Sequence, residues 1–333
     1  MDNRFFTQVD IPKSRWKIGL DQPVMLLGSC FAEHIGGCLQ ESGFKCDVNP
    51  FGILYNPISI SEALRQIVAR KCYGVGDGVL VQHDGWWHSL MHHGSFSART
   101  PEECVAKINA RIECAGELIS KVGCLMLTWG SAYVSQWGEE GFVVGNCHKL
   151  PDRCFVRRCL RVEEIVEDYS HLIEMLREVN PQIRLLLTVS PVRHRREGMH
   201  GNQVSKSVLL LAADELVRRF PEVCGYFAAY EVMMDELRDY RFYADDMLHP
   251  SPVAVKYIWE RFGECYFDDP TRRCMEEWRA ICRGLEHRPT DPKGDEYKEF
   301  LIRLESRICR FQAEYPAFDV QKERMLCHTL LNK

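Results

Sequence analysis

Val24-Met25-Leu26-Leu27-Gly28-Ser29-Cys30-Phe31-Ala32 is the stretch on which the fold turns. An unbroken apolar run stopped by glycine predicts a short strand, buried on both faces and ending in a tight turn. From Cys30 the period changes. Phe31, Ile35, Cys38 and Leu39 share one face of a helix over 30–42, closed by Gly43. Strand, turn and helix in succession begin an α/β pattern, and they leave Ser29 at the tip of the first strand.

The alternation continues outward. Further strands are predicted at 45–48, 124–128 and 183–189 and near 225–227. Helices are predicted at 59–69 with Ser61 near the N-cap, 101–121 capped by Thr100, 161–179, 204–219 and 253–262. Strands separated by helices of this length imply a mainly parallel sheet covered on both faces, a three-layer α/β/α sandwich. Residues 71–100, rich in Gly, Trp and His, break the rhythm as an inserted hairpin, and a second hairpin is expected over 141–149. From 268 the pattern is helical and charged, without strands. The expected organisation is therefore an α/β domain over 1–267 and a helical C-terminal extension over 268–333.

Of 333 residues, 46% are apolar and 27% charged, which is ordinary for a globular protein with a sizeable core. A formal charge of −5 carries no basic footprint for nucleic acid. No apolar run reaches the length of a membrane span, and the N-terminus lacks the pattern of a signal peptide. The sixteen cysteines are scattered, without a CxxC pair, and read as reduced thiols of a cytoplasmic protein. No Gly-x-Gly-x-x-Gly or phosphate-loop pattern is present, and no cofactor is expected.

Asp246-Met247-Leu248-His249-Pro250 stands near the end of the α/β region. With Ser29 it completes the set a serine hydrolase needs. Ser29 attacks, His249 takes the proton, and Asp246 orients the imidazole and stabilises its cation. Each piece has a plainer reading, since a Gly-Ser after a strand is commonly a turn with a helix N-cap. Their co-occurrence at the two ends of one α/β array favours catalysis.

The segment Gly28-Ser29-Cys30-Phe31-Ala32 resembles the signature of the GSCFA family, whose fold is similar to that of the SGNH/GDSL hydrolases. Asn49-Pro50-Phe51-Gly52, Leu127-Thr128-Trp129-Gly130-Ser131-Ala132, Asn146-Cys147-His148-Lys149, Thr188-Val189-Ser190-Pro191-Val192-Arg193 and the segment 235–243 resemble it too, so the likeness spans roughly 20–265. It implies an SGNH-type fold with Ser29 as nucleophile and Gly52 as an oxyanion donor. Aligning Gly-Ser-Cys with the superfamily's Gly-Asp-Ser leaves Cys30 as a competing nucleophile, and Asp245 remains an alternative to Asp246. Ala132 stands where the superfamily's third block has Asn, and Asn146 is the substitute oxyanion donor.

Trp87, His92 and His93 of the insertion, with Gly130, His148 and Arg193, are candidate substrate contacts. The histidine spacing matches no familiar zinc pattern, so no metal is assigned. Arg193 follows a strand end, where open α/β sheets collect ligands. The expected function is a serine esterase acting on a small O-acyl ester, such as O-acetyl on a carbohydrate. The alternatives are a glycan O-acyltransferase and a catalytically silent glycan- or peptide-binding protein on the same scaffold.

Overall fold

The structure, a computed structural model, describes residues 6–138, 141–316 and 318–332. The first units are β1 (Val24–Gly28), α1 (Cys30–Glu41), β2 (Cys46–Val48) and α2 (Pro57–Val68). The insertion follows as β3 (Leu80–His83) and β4 (Trp86–Ser89), and then come α3 (Pro101–Ile119) and β5 (Cys124–Trp129). A second hairpin pairs β6 (Tyr133–Trp137) with β7 (Phe155–Cys159). The body closes with α4 (Val162–Val179), β8 (Arg184–Val189), α5 (Gly198–Arg219), β9 (Cys224–Tyr226), the one-turn α6 (Ala229–Glu231) and α7 (Pro252–Tyr266). Three more helices end the chain: α8 (Asp269–Glu286), α9 (Asp295–Glu314) and α10 (Gln321–Leu331).

The main sheet runs β2-β1-β5-β8-β9, with every neighbour parallel. Alternation along its strands makes the three layers. Met25, Leu27, Leu125, Leu127, Leu185 and Leu187 pack with α2, α3, α4 and α5, while Val24, Leu26, Met126 and Leu186 pack with α1 and α7. The strand order reverses between β1 and β5, and in open parallel sheets ligands bind outside the carboxyl ends of the strands at such a reversal. Ser29 leaves β1 at that point.

The predicted strands and the inserted hairpin are present, α2 and α5 start earlier than predicted, α7 runs on to Tyr266 instead of 262, and one hairpin differs. α2 begins at Pro57, capped by Asn56, whose Oδ1 accepts the Ser59 amide at 2.8 Å. Proline at the first helical position starts the helix earlier than apolar period alone reveals, and Ser61 lies inside it. α5 begins at Gly198 and not at 204, because its polar first turn carries no apolar stripe. The second hairpin uses 133–137 and 155–159, whereas within 141–149 only Val143 makes an isolated bridge, to Gln136. In the insertion, Asp84 and Gly85 both take positive φ, the geometry of a two-residue hairpin turn.

α8–α10 form a core of their own around Trp278, Ile281, Leu301, Ile308 and Phe311. Phe318 of this region seats its ring where a Gly43 side chain would be. All sixteen cysteines are free thiols, and Cys72, Cys114 and Cys309 are the exposed ones. No helix among the described residues is long and apolar enough to cross a membrane.

Candidate active site

Gly28 lets β1 pass close to β5. A Cβ there would lie 2.2 Å from the Thr128 carbonyl oxygen, and φ is +149°. Its amide donates to Asn49 Oδ1 at 2.9 Å and its carbonyl accepts the Leu54 amide at 3.0 Å, so the Asn49–Leu54 loop is strapped to the strand end. Asn49 itself sits at φ +48°, a conformation asparagine tolerates better than most residues.

Ser29 is the N-cap of α1. Its Oγ accepts the Phe31 amide at 3.3 Å and donates to Ser190 Oγ at 3.0 Å. The side chain is only 1% exposed, contrary to the exposure expected of a strand tip. Capping and the bond to Ser190 turn it inward. Cys30 is half-buried, and burial pushes its thiol up, away from the thiolate a cysteine nucleophile needs.

Asp246 and His249 meet within one turn. Asp246 Oδ1 accepts the amides of Leu248 at 2.9 Å and His249 at 3.0 Å, while Oδ2 accepts His249 Nδ1–H at 2.5 Å. A carboxylate can only accept, so Nδ1 carries a proton, and in the neutral ring the lone pair is on Nε2. The His249 amide, its ring and the Leu248 amide hold the Asp246 carboxyl well below the usual carboxylate range. The partner is Asp246, three residues away, and not Asp245. The turn is tied to the loop after β8, because Arg193 N donates to Leu248 O at 3.0 Å and Arg195 Nη2 to Asp246 O at 3.1 Å. Among the described residues no hydrogen bond joins His249 to Ser29, whose proton is directed at Ser190.

Most backbone amides near Ser29 are otherwise engaged. The Gly52 amide donates to Asn49 O at 2.7 Å, and that glycine, at φ +75°, backs onto His93. The Ser29 amide goes to Thr128 O, and the Gly130 and Ser131 amides both go to Tyr55 O. Asn146 Oδ1 accepts the His148 amide at 2.9 Å, and its own amide binds Leu90 O of the insertion. The Gly52 amide is therefore held in its own turn, and in Asn146 the backbone amide and Oδ1 are taken while the side-chain NH₂ has no partner among the described residues. The Cys30 amide opens α1, where first-turn amides have no partner within the helix and the helix dipole is positive.

The insertion's rings mostly pack on one another. His92 is fully buried, stacked on Phe51 at 4.2 Å and bonded through Nδ1 to Ser89 Oγ at 2.8 Å. Burial pushes its imidazole down to about 3. It is a neutral core ring, which corrects its assignment as a substrate contact. His93 caps the short turn at Gly94–Phe96, and His148 bonds Ser89 O at 2.7 Å while stacking on His88 at 4.6 Å. Trp87 is half-buried against the main core and pairs with Ala98. Among the described residues no group of three or more His, Cys, Asp or Glu side chains is placed to hold a metal.

Three residues beside Ser29 escaped the sequence reading: Asn49 as the clamp on Gly28, Ser190, and Lys206. Lys206 carried a signal. It falls with Asn202, Leu209, Ala213 and Leu216 on the buried stripe of α5, where a lysine is out of place.

Among solved structures the chain is similar to a carbohydrate esterase family 3 protein from Talaromyces cellulolyticus, at 9% identity and TM-score 0.35, covering 73% of this chain and 95% of that one. A carbohydrate esterase family 2 enzyme with a carbohydrate binding domain from Corynascus thermopiles (Myceliophthora fergusii) matches at 10% identity and TM-score 0.39, covering 77% of this chain and 67% of that one. An acetyl xylan esterase from the rumen bacterium Butyrivibrio proteoclasticus matches at 9% identity and TM-score 0.36, covering 78% and 64%. No curated protein matches the sequence. The model of the GSCFA domain protein, C-terminal domain, matches residues 278–333. The GSCFA family model matches residues 23–262, most of the chain, and the protein belongs to that family.

Proposed function

We propose that the protein is a serine esterase acting on a small O-acyl ester. The observation that carries this reading is the 2.5 Å bond from His249 Nδ1 to Asp246, which fixes the tautomer a general base requires. Ser29, at the reversal of strand order, is the nucleophile. For attack its hydroxyl turns from Ser190 to His249 Nε2. Oγ bonds to the ester carbonyl carbon as its proton passes to Nε2, and Asp246 stabilises the imidazolium. The imidazolium then protonates the leaving alcohol as the C–O bond breaks, leaving acyl-Ser29. Water, deprotonated by His249, releases the acid and restores the serine. The Cys30 amide, at the positive end of α1, faces the developing oxyanion. Gly52 supports the loop beside the site, and the Asn146 side-chain NH₂ is the second candidate donor to the oxyanion.

Burial of Ser29 limits the acyl group to a small one, and O-acetyl on a carbohydrate is the first substrate to test. With a fluorophosphonate probe and chromogenic acyl esters, the wild-type chain should label and turn over. Ser29→Ala should do neither, while Cys30→Ala should keep most of both. The reverse pattern moves the nucleophile to the thiol. Turnover that appears only with a sugar acceptor assigns an acyltransferase.

A second reading, a catalytically silent glycan- or peptide-binding protein, is favoured by one specific observation. Ser29 is bonded to Ser190, and its own amide and those of Gly52, Gly130 and Ser131 are already engaged. Failure of probe and esters alike, with sugar or peptide binding intact, would select it.

A further inference from the structure

Below Ser29 lies a buried cation that the mechanism above leaves unused. Lys206, on the inner face of α5, has no solvent exposure. Its Nζ donates to Gly130 O and to Ser190 O, each at 2.7 Å. These carbonyls follow the carboxyl ends of β5 and β8. Gly130 stands against Ser29, since a Cβ on it would be 3.4 Å from Ser29 Cβ, and Ser190 Oγ holds the Ser29 hydroxyl. One ammonium thus grips the two strand ends that flank the candidate nucleophile.

No carboxylate forms an ion pair with Lys206 among the described residues. The groups that face it are Arg193 and His194 from the loop after β8, Cys30 at the start of α1, and the Tyr230 ring of α6 at 5.6 Å. Burial, and then Arg193, bring the ammonium down to about 7. Burying an uncompensated charge is costly, and a neutral amide would satisfy two carbonyls at less expense. A purely structural role therefore gives no reason for a lysine here.

We propose that Ser190 and Lys206 are positioning residues for Ser29. Ser190 Oγ accepts the Ser29 hydroxyl at rest and, once that proton has turned to His249, returns its own O–H to Ser29 Oγ, holding the oxygen for attack. Lys206 fixes Ser190 and Gly130 and supplies a stationary positive charge beside the point where negative charge develops during attack. This rests on the reading of Ser29 as nucleophile.

The test is the rate of Ser29 phosphonylation by a fluorophosphonate on the full chain, measured against pH. Oγ forms the P–O bond, the P–F bond breaks, and fluoride and the serine proton are released. Lys206 is cationic below its own value and neutral above it, so the wild-type rate should fall as pH rises past about 7. Lys206→Met should lose that alkaline limb and label about 10²-fold more slowly, near the cost of one oxyanion contact. Ser190→Ala should label about tenfold more slowly, as for one lost hydrogen bond, at unchanged probe affinity and with Tm near wild type. Labelling at the wild-type rate by Lys206→Met, or by Lys206→Gln where the former does not fold, overturns the role of the charge. Ser190→Ala labelling at the wild-type rate overturns the role of the hydroxyl. Labelling of the wild type with both variants indifferent removes this inference alone. Failure of the wild type to label or turn over any ester removes the nucleophile, and this inference with it.

Discussion

Asp246 accepts three N–H groups within its own turn, which keeps its carboxylate charged across the working pH range. Asp246→Asn keeps the shape but offers an NH₂ that favours the opposite imidazole tautomer. In an unrelated serine protease the same change costs about 10⁴ in kcat, and a loss of that order is expected in ester hydrolysis here. A loss under about tenfold would show that His249 does not depend on that carboxylate. His92 gives a second residue-scale prediction. Its native value, about 3, lies below that of an unfolded histidine, so the unfolded chain binds a proton first as pH falls. The stability it contributes is complete above about pH 6.5 and is lost on acidification toward the native value. Between about pH 6.5 and 4 the wild-type Tm should fall more steeply than that of His92→Leu, and parallel slopes would contradict the buried neutral ring. Asp246 and His249 were legible in sequence because one turn brings them together. Ser190 and Lys206 were not, because the chain must cross the sheet before either lies beside Ser29.

At the scale of elements all five strands of the main sheet were legible, β1, β5 and β8 as apolar runs buried on both faces and β2 and β9 as short segments at the sheet edges. Apolar period missed β7, where Arg157 and Arg158 interrupt any alternation, and it missed the polar first turn of α5. The loop from β2 to α2 shows how an element end is held in place. Asn49 meets a left-handed backbone and the Gly28 amide at once. Asn49→Ala should cost about 2–3 kcal/mol, from an orphaned buried amide plus the backbone penalty. Asn49→Gly relieves the backbone but still orphans the amide, so it should recover only part of the loss in chemical denaturation. Equal stability of the two variants would show that the left-handed backbone costs nothing, and Asn49→Gly at wild-type stability would show that the Gly28 bond contributes nothing.

Across the whole molecule, two cores line the faces of the sheet and a third belongs to α8–α10. Composition and charge foretold a helical C-terminal region, but the packing of Phe318 against Gly43, in the turn after α1, depends on shape and left no mark in the sequence pattern. The distribution of thiols turns this layered interior into a built-in clock. Native protein should react quickly with a thiol reagent at Cys72, Cys114 and Cys309 and slowly elsewhere. Cys274 and Cys327 lie buried in the C-terminal helices, whereas Cys124 and Cys224 lie in the sheet. Under mild denaturant the order in which these two pairs become reactive, read by mass spectrometry, times the opening of each region within one chain. Earlier reaction of Cys274 and Cys327 is expected if the C-terminal helices open as a separate unit, and simultaneous reaction would make the chain a single cooperative body. No dye, tag or introduced residue is required, since the sequence already carries its own reporters.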